Sequence, residues 1–421
     1  MPNLTRLREV LRHRGGATAG PAAPRRAAAL DLEALAAGLG GALEDAPLGL
    51  CPVVRWWLGK GSDGADTAAD DPYRGGLGRA SRAISPEALR VLCGAGECGQ
   101  PPWSGEDPTA GLVFFDLETT GLSGGAGTVA FVVGFGCFEG TRFRVWQFVL
   151  PSFAGERRML AAVTAAVSRA HTLVTFNGKS FDVPFMETRG LFHRLETPIP
   201  ALRHVDLLHP ARRFWGPETG GLGALEDRVL GFRRRDDVPG FEIPSRYFDY
   251  LRSGDPAPLR DVLAHNRLDL ASLAVLTGLA CELVDGGSET TRDARQCLGL
   301  GRVYERGGRR VDALGCYERA ADHGLLDVRA EALYRVASAH RRQRRHVDAA
   351  QVWQRLIDLG RTPGVFEREA LRALAVHHEH RLKDTRRALT FARRAYAEAR
   401  TVAGRRDVYK RLTRLERRLA G

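Results

Sequence analysis

Residues 114–122, FFDLETTGL, decide how this chain is read. Phe114, Phe115 and Leu117 make the stretch an apolar strand, and on a strand side chains i and i+2 project from one face. Asp116 and Glu118 therefore stand side by side. Two like charges at the end of an apolar strand are costly unless a cation neutralises them. Hard oxygen ligands with no Cys or His nearby point to Mg²⁺ or Mn²⁺. Asp-x-Glu alone is a common pattern, more often a solvated pair than a metal site; the Thr-Thr-Gly-Leu that follows makes this one specific.

The flanks extend the strand reading. Runs at 112–118, 128–138 and 143–150 are strand-like, the first two almost continuously apolar, as in a sheet covered on both faces. A helical stretch from Glu156 to about Ala170, a strand at 173–176, a helix from about Phe181 to His193 and one long helix over 258–284 follow. The order predicts an α/β domain over 111–285, a mixed central sheet flanked by helices.

Two further stretches carry chemistry. In TFNGKSFDVPFM (175–186), a buried strand runs into Asn177-Gly178-Lys179, and Asp182 opens a helix between Phe181 and Val183. Judged singly, Asp182 is equally a first-turn carboxylate favoured by the helix dipole. In LAHNRLDLASLAVL (263–276), His265 and Asp269 lie four apart, one turn apart on one helix face. Alone they read as a surface pair, but the helix is largely apolar, so its charged face must meet something polar.

The three stretches in this order resemble the DEDD exonuclease superfamily, whose domain has a ribonuclease-H-like fold. The wider pattern resembles its YprB-like branch: DLETTGLSGGAGTVAFVVGFG (116–136), NGKSFDVPF (177–185), HVDLLHPARRFW (204–215), DVPGFEIPSRYFDYL (237–251) and HNRLDLASL (265–273). The resemblance covers about 112–279. It implies a 3′-5′ exonuclease in which Asp116, Glu118, Asp182 and Asp269 hold two Mg²⁺ or Mn²⁺ ions and His265 orients or deprotonates the attacking water. One departure stands: His265 precedes Asp269 by four residues, the spacing of the Tyr type, where the His type has five. Two ions can generate a hydroxide-like nucleophile and neutralise the leaving oxygen in phosphodiester cleavage, and a His near neutrality can take the water's proton.

Thr119, Gly121, Asn177 and Phe181, within the motifs, together with Arg212 and Arg213, are the candidate substrate-binding residues. The Arg pair with Trp215 would contact phosphate and stack a base; core packing with exposed Arg is the commoner account, as it is for Arg246 and Tyr247. The Gly-rich turn at 123–128 either lets backbone approach a terminal nucleotide or is only a tight connection. Asp206 reads as a supporting group more than a ligand.

Beyond about 290 the strand signal stops and a repeat begins. Leu300, Gly301, Tyr304, Ala313, Tyr317 and Ala320 have tetratricopeptide spacing, and VDAAQVW (347–353) repeats VDALGCY (311–317) 36 residues on. A looser third copy has Ala388, Ala392 and Ala395. Residues 290–421 are expected to form an all-α tetratricopeptide-like helical repeat domain that holds a protein partner; a plain helical bundle is the alternative.

Residues 1–110 read as a partly flexible extension without a chemical motif. Within it, 14–29 is a Gly/Ala/Pro-rich linker and LDLEALAAGLGGAL (30–43) a weak helix. The start lacks a signal-peptide core and no stretch reaches the roughly 20 apolar residues of a membrane span. Seven scattered Cys suit a reducing compartment, so a cytoplasmic location is expected. Cys93 and Cys98 form C-x4-C, but no second pair follows at zinc spacing, which leaves ordinary thiols. The net charge of +12 favours a polyanionic partner, although only four of the 62 basic residues are Lys, a bias that base composition can also produce. The expected partners are thus nucleic acid, DNA or RNA, and a protein on the repeats, with no membrane. The rivals to an active exonuclease are a ribonuclease-H-type endonuclease, a non-catalytic nucleic-acid-binding adaptor, and a scaffold.

Overall fold

The computed structural model describes residues 31–59, 73, 75–95, 107–121, 127–216, 218, 220–235, 237–360, 364–399 and 401–420. Its strands are β1 (Ala42–Glu44), β2 (Cys51–Leu58), β3 (Leu112–Thr119), β4 (Ala130–Glu139), β5 (Arg142–Val149), β6 (Thr172–Thr175) and β7 (Arg203–Asp206). They form one mixed sheet in the order β1-β2-β5-β4-β3-β6-β7. β3, β4 and β5 are an antiparallel meander; β6 and β7 add in parallel beyond β3. Parallel neighbours require crossovers, and helices α4 (Glu156–Ala166) and α5 (Asp182–His193) supply them, following α1 (Leu32–Gly38), α2 (Gly76–Ala83) and α3 (Pro86–Cys93) in the chain. After β7 come α6 (Leu208–Trp215), α7 (Leu222–Leu225) with a π turn over Glu226–Leu230, α8 (Ile243–Ser253) and the 30-residue α9 (Ala257–Gly286). This is the ribonuclease-H-like architecture that the resemblance implies.

Strand alternation divides the core. Phe114, Val174 and Val205 face one apolar cluster, shared with Leu270, Leu273 and Leu276 of α9. Phe115, Val133 and Leu173 face the other, with Leu160 of α4 and Leu259, Val262 and Leu263 at the start of α9. Asp116 and Glu118 share the parity of Phe114, so β3 presents them on the face over which the middle of α9 passes.

The region before residue 111 does more than pack on this domain. β2 pairs antiparallel with β5, Val53 opposite Phe148 through Leu58 opposite Phe143, and so extends the sheet edge. Helix α2 lies so close on α9 that a Cβ at Gly278 would come within 2.5 Å of the Ala80 Cα. The segment 14–29 and Cys98 lie outside the described residues; Cys93 is buried and donates its thiol to the His204 carbonyl.

Among the described residues seven more helices follow: α10 (Ala294–Arg306), α11 (Arg310–His323), α12 (Leu326–Arg342), α13 (His346–Asp358), α14 (Gly364–His380), α15 (Thr385–Ala397) and α16 (Val402–Ala420), each packed on the next. The recurring positions Leu300, Tyr304, Ala313, Tyr317, Ala320, Ala349, Trp353, Ala388, Ala392 and Ala395 are all buried. Gly301 is required by contact, since a Cβ there would lie 2.5 Å from the Tyr317 ring. No core boundary separates these helices from the sheet. α10 packs on α6 so tightly that a Cβ at Gly299 would fall 1.8 Å from the Arg213 carbonyl oxygen, and one apolar cluster runs from Phe114 through Phe214 and Leu300 to Leu415. Among the described residues, no helix is long and apolar enough to cross a membrane.

Candidate metal centre

Four separate segments meet at the end of β3. The strand supplies Asp116 and the buried Glu118, where the register with β4 shifts between Glu118 and Thr119. Helix α9 supplies His265 and Asp269, whose Nε2 and Oδ2 are 3.5 Å apart. One ligand atom from each of Glu118, His265 and Asp269 can be chosen so that all lie within 4.8 Å of one another, an arrangement able to hold a metal ion. Asp182 opens α5, where its own N–H steadies the carboxylate.

The carboxyl groups crowd one another. Burial pushes the Asp116 carboxyl well above its usual range, and the charges of Asp269 and Asp182 push further. Glu118 is raised likewise, by burial and then by Asp116, Asp269 and Asp182. Asp182 is raised to about 7, by burial and then by Asp206. All four acids singled out by sequence are thus within electrostatic reach of one site.

Asp116 is held by groups that sequence reasoning did not single out. Fully buried Asn266, beside His265 on α9, donates from Nδ2 to the Asp116 carboxylate at 2.7 Å. Gln147 on β5 donates to the Asn266 amide oxygen at 2.9 Å and to the Leu263 carbonyl at 2.7 Å. The Trp56 indole on β2 donates to the Gln147 amide oxygen at 3.1 Å, and the Arg267 guanidinium lies 4.0 Å over its ring. A buried amide must find partners, and here the chain of partners leads from the added edge strand to the carboxylate. Gly134 makes room, since a Cβ there would meet the Asn266 amide oxygen at 2.2 Å. The available signal was an Asn on an apolar stretch of helix.

The loop before α8 adds Arg234 and Asp237. Asp237 accepts from His265 Nδ1 at 2.9 Å, so His265 turns Nε2 toward the acids. Burial works against charging His265, but the Asp237 hydrogen bond and the Asp269 and Asp237 charges outweigh it and raise its pKa. Arg234 pairs with Asp269, with Glu226 and, at 3.1 Å, with Asp237. Glu226 is buried and also accepts from Ser272, which lies 2.5 Å from the Tyr73 hydroxyl. Arg234 sits in no motif, and its partners are far apart in sequence.

Asp206 has a positioning role. Its buried carboxylate accepts from the backbone N–H groups of Asn177 at 2.8 Å, Lys179 at 3.1 Å and Leu208 at 3.1 Å. This anchors the loop that leads to Asp182, in which Asn177 takes a left-handed φ of 70°.

The candidate substrate residues divide. Thr119 donates to the Gly121 carbonyl at 2.9 Å, which shapes the exit from β3. Phe181 is 58% exposed at the start of α5. Arg212 is exposed on α6, whereas Arg213 is half-buried where α6 meets the C-terminal helices, near Arg302, Arg306 and Arg335. Tyr247 is core, stacked on Phe131 at 4.5 Å, and Arg246 lies 3.8 Å from Glu242 and from Asp261. Of the 123–128 turn, only Gly127 and Thr128 are described.

The profile of the RNase_H_2 family, of the RNase_H superfamily, matches residues 113–281, the span that supplies every acid of the site. The chain is 30% identical over 312 residues to the uncharacterized protein YprB of Bacillus subtilis (strain 168), over 73% of this chain and 75% of that protein.

Proposed function

We propose, from the premise that this chain belongs to the family of Bacillus subtilis YprB and carries an RNase_H-superfamily domain, that it is a metal-dependent 3′-5′ exonuclease. Its substrate is nucleic acid with single-stranded or frayed 3′ ends. The observation that supports this reading is the closeness of Glu118, His265 and Asp269, one ligand atom of each within 4.8 Å, with Asp116 and Asp182 in electrostatic reach of them, from segments up to 153 positions apart.

The donor set fits hard divalent cations. Carboxylates predominate, burial and then mutual repulsion hold the Asp116 and Glu118 pKa values high, and one imidazole joins them. Asp116, Glu118, Asp182 and Asp269 would hold two Mg²⁺ or Mn²⁺ ions, which when bound supply an activated water and neutralise the leaving oxygen. Asn266 fixes the Asp116 carboxylate, and Asp206 fixes the loop that carries Asp182. His265, its ring oriented by Asp237, turns Nε2 to the acids and receives the water's proton there. Exposed Phe181, beside Asp182, offers a face for stacking the terminal base. The direction of digestion rests on the superfamily resemblance. The C-terminal helices are read as tetratricopeptide-like pairs from their buried small and aromatic positions.

A second reading, binding without cleavage, draws on Arg234, whose guanidinium already neutralises Asp269 and Glu226. Digestion of 5′-labelled single-stranded DNA and RNA with Mg²⁺, Mn²⁺ or EDTA separates the two. A metal-dependent ladder lost in Asp116→Ala supports the enzyme; tight binding with no cleavage in either metal rejects it.

A further inference from the structure

The basic charge is not spread over the molecule. Residues 290–421 contain 31 Arg and Lys against 16 Asp and Glu, a net +15, where the whole chain is +12. Residues 1–289 are accordingly at −3. An acid-lined site in a slightly acidic body repels a polyanion, so affinity for one has to come from elsewhere in the chain.

The helices provide a place for it. A cavity of about 330 Å³ lies between α12, α13 and α14, floored by Ala349, Ala350, Trp353, Ala373 and Val376. Its polar lining is Arg341, Arg372 and Arg381, the imidazoles of His346, His377 and His380, and one carboxylate, Glu369. Arg341, His346, His377 and Arg381 have no carboxylate partner among the described residues; His380 lies 3.4 Å from Glu379, and Arg372 is balanced by Glu369 at 3.7 Å and Asp407 at 3.3 Å. Burial lowers the His377 pKa, and the neighbouring charges of His378, Arg381 and His346 lower it further, so the unbalanced charge of the groove at neutral pH is that of Arg341 and Arg381. A second basic cavity lies farther along the same stack, on α16, lined by Tyr409, Lys410, Thr413, Arg414, Arg417 and Arg418. Arg414 and Arg418 there are tied to buried Glu379, while Lys410 and Arg417 have no carboxylate partner among the described residues.

We propose that the Arg341–Arg381 groove binds the phosphodiester backbone of single-stranded nucleic acid, and that the α16 cations continue this track, so that the C-terminal helices hold the strand whose end enters the acid cluster. This rests on the nuclease reading for the identity of the strand. Two cationic sites in succession fit an extended polyanion better than a short acidic peptide, which one site would satisfy. Arg also matches phosphate oxygens bidentately. The helices are thereby given nucleic acid as their ligand, in place of the protein partner expected from the repeat.

The test is fluorescence anisotropy of the full chain with a 5′-labelled single strand of about 20 nucleotides, in EDTA, over a series of salt concentrations. Both Arg341 and Arg381 are exposed, so an Arg341→Ala/Arg381→Ala variant keeps the core intact, which its unfolding midpoint verifies. Losing two phosphate contacts should lower the slope of log K against log salt by about 1.4 and weaken binding on the order of 10-fold. Lys410→Ala/Arg417→Ala should add to the effect. Unchanged slope and affinity in both variants would overturn the proposal. So would equal competition by polyglutamate at matched ionic strength, which would assign the groove to an acidic protein. Because the measurement needs neither metal nor cleavage, a wild type that binds in this way but never cleaves removes the nuclease reading and leaves the groove standing.

Discussion

Replacing Asn266 by Ala asks whether the buried amide chain prepares Asp116 for a cation. The substitution removes the 2.7 Å bond to the carboxylate and the acceptor for Gln147, which keeps the Leu263 carbonyl. With the metal-free Asp116 carboxyl holding its proton, the bond lost contributes about 0.5–1.5 kcal/mol, and the void left by a fully buried side chain adds to the loss. Metal-free stability should therefore fall by about 2–4 kcal/mol. The metal-bound state loses more, because the Asn266 bond favours the ionised carboxylate that a cation needs. Supporting groups of this kind alter metal affinity by about 10–100-fold, or about 1.4–2.8 kcal/mol, in line with the single bond removed. Urea denaturation in EDTA measures the first quantity and calorimetric titration with Mn²⁺ the second. Asn266→Asp, which sets a second carboxyl against Asp116, should be worse than Ala on both. A folded Asn266→Ala protein that binds Mn²⁺ as the wild type does would refute the reasoning.

Asp116, Glu118 and Asp182 have raised pKa values, so the metal-free native state keeps protons that the unfolded chain releases above about pH 4. Metal-free stability should fall as pH rises through the folded value of about 7 for Asp182, and the Mn²⁺-induced gain in Tm should be larger at about pH 8 than at about pH 6. A pH-independent gain, read by thermal shift, would contradict this. Arg234→Ala leaves the buried Glu226 carboxylate without its cation and should cost about 3–5 kcal/mol in EDTA, and less in saturating Mn²⁺, which relieves the Asp269 side; equal losses by urea denaturation in both conditions would count against Arg234 sharing the metal's charge role. Gly299→Ala drives a methyl into the Arg213 carbonyl and should cost about 3 kcal/mol; an unchanged urea midpoint would mean that the α6–α10 approach is looser than described.

What was legible in the sequence is what obeys a period. The apolar runs of β3, β4 and β5, the i, i+2 pair Asp116 and Glu118, and the i, i+4 pair His265 and Asp269 follow from strand and helix geometry alone, and the long helix is found within two residues of each predicted end. β2 was missed although CPVVRWWL is strand-like, because it lies between segments without apolar period and finds its partner, β5, some 90 positions away. Arg234 and Glu226 were invisible for a related reason, since an ion pair between loop and helix leaves no local spacing, and Asp237 opens a quoted stretch whose spacing does not reveal its bond to His265. Asn266 was inside a quoted motif, yet only burial shows that its amide must be satisfied by Asp116 and Gln147.

The unbroken packing from the sheet through Gly299 into the last helices fixes the reach between the acid cluster and the basic groove. If one strand occupies both places, as proposed, a molecule so built would work as a ruler. Once a strand is shortened to less than that reach it can no longer touch both places, and shortening should slow at a characteristic fragment length instead of proceeding to single nucleotides.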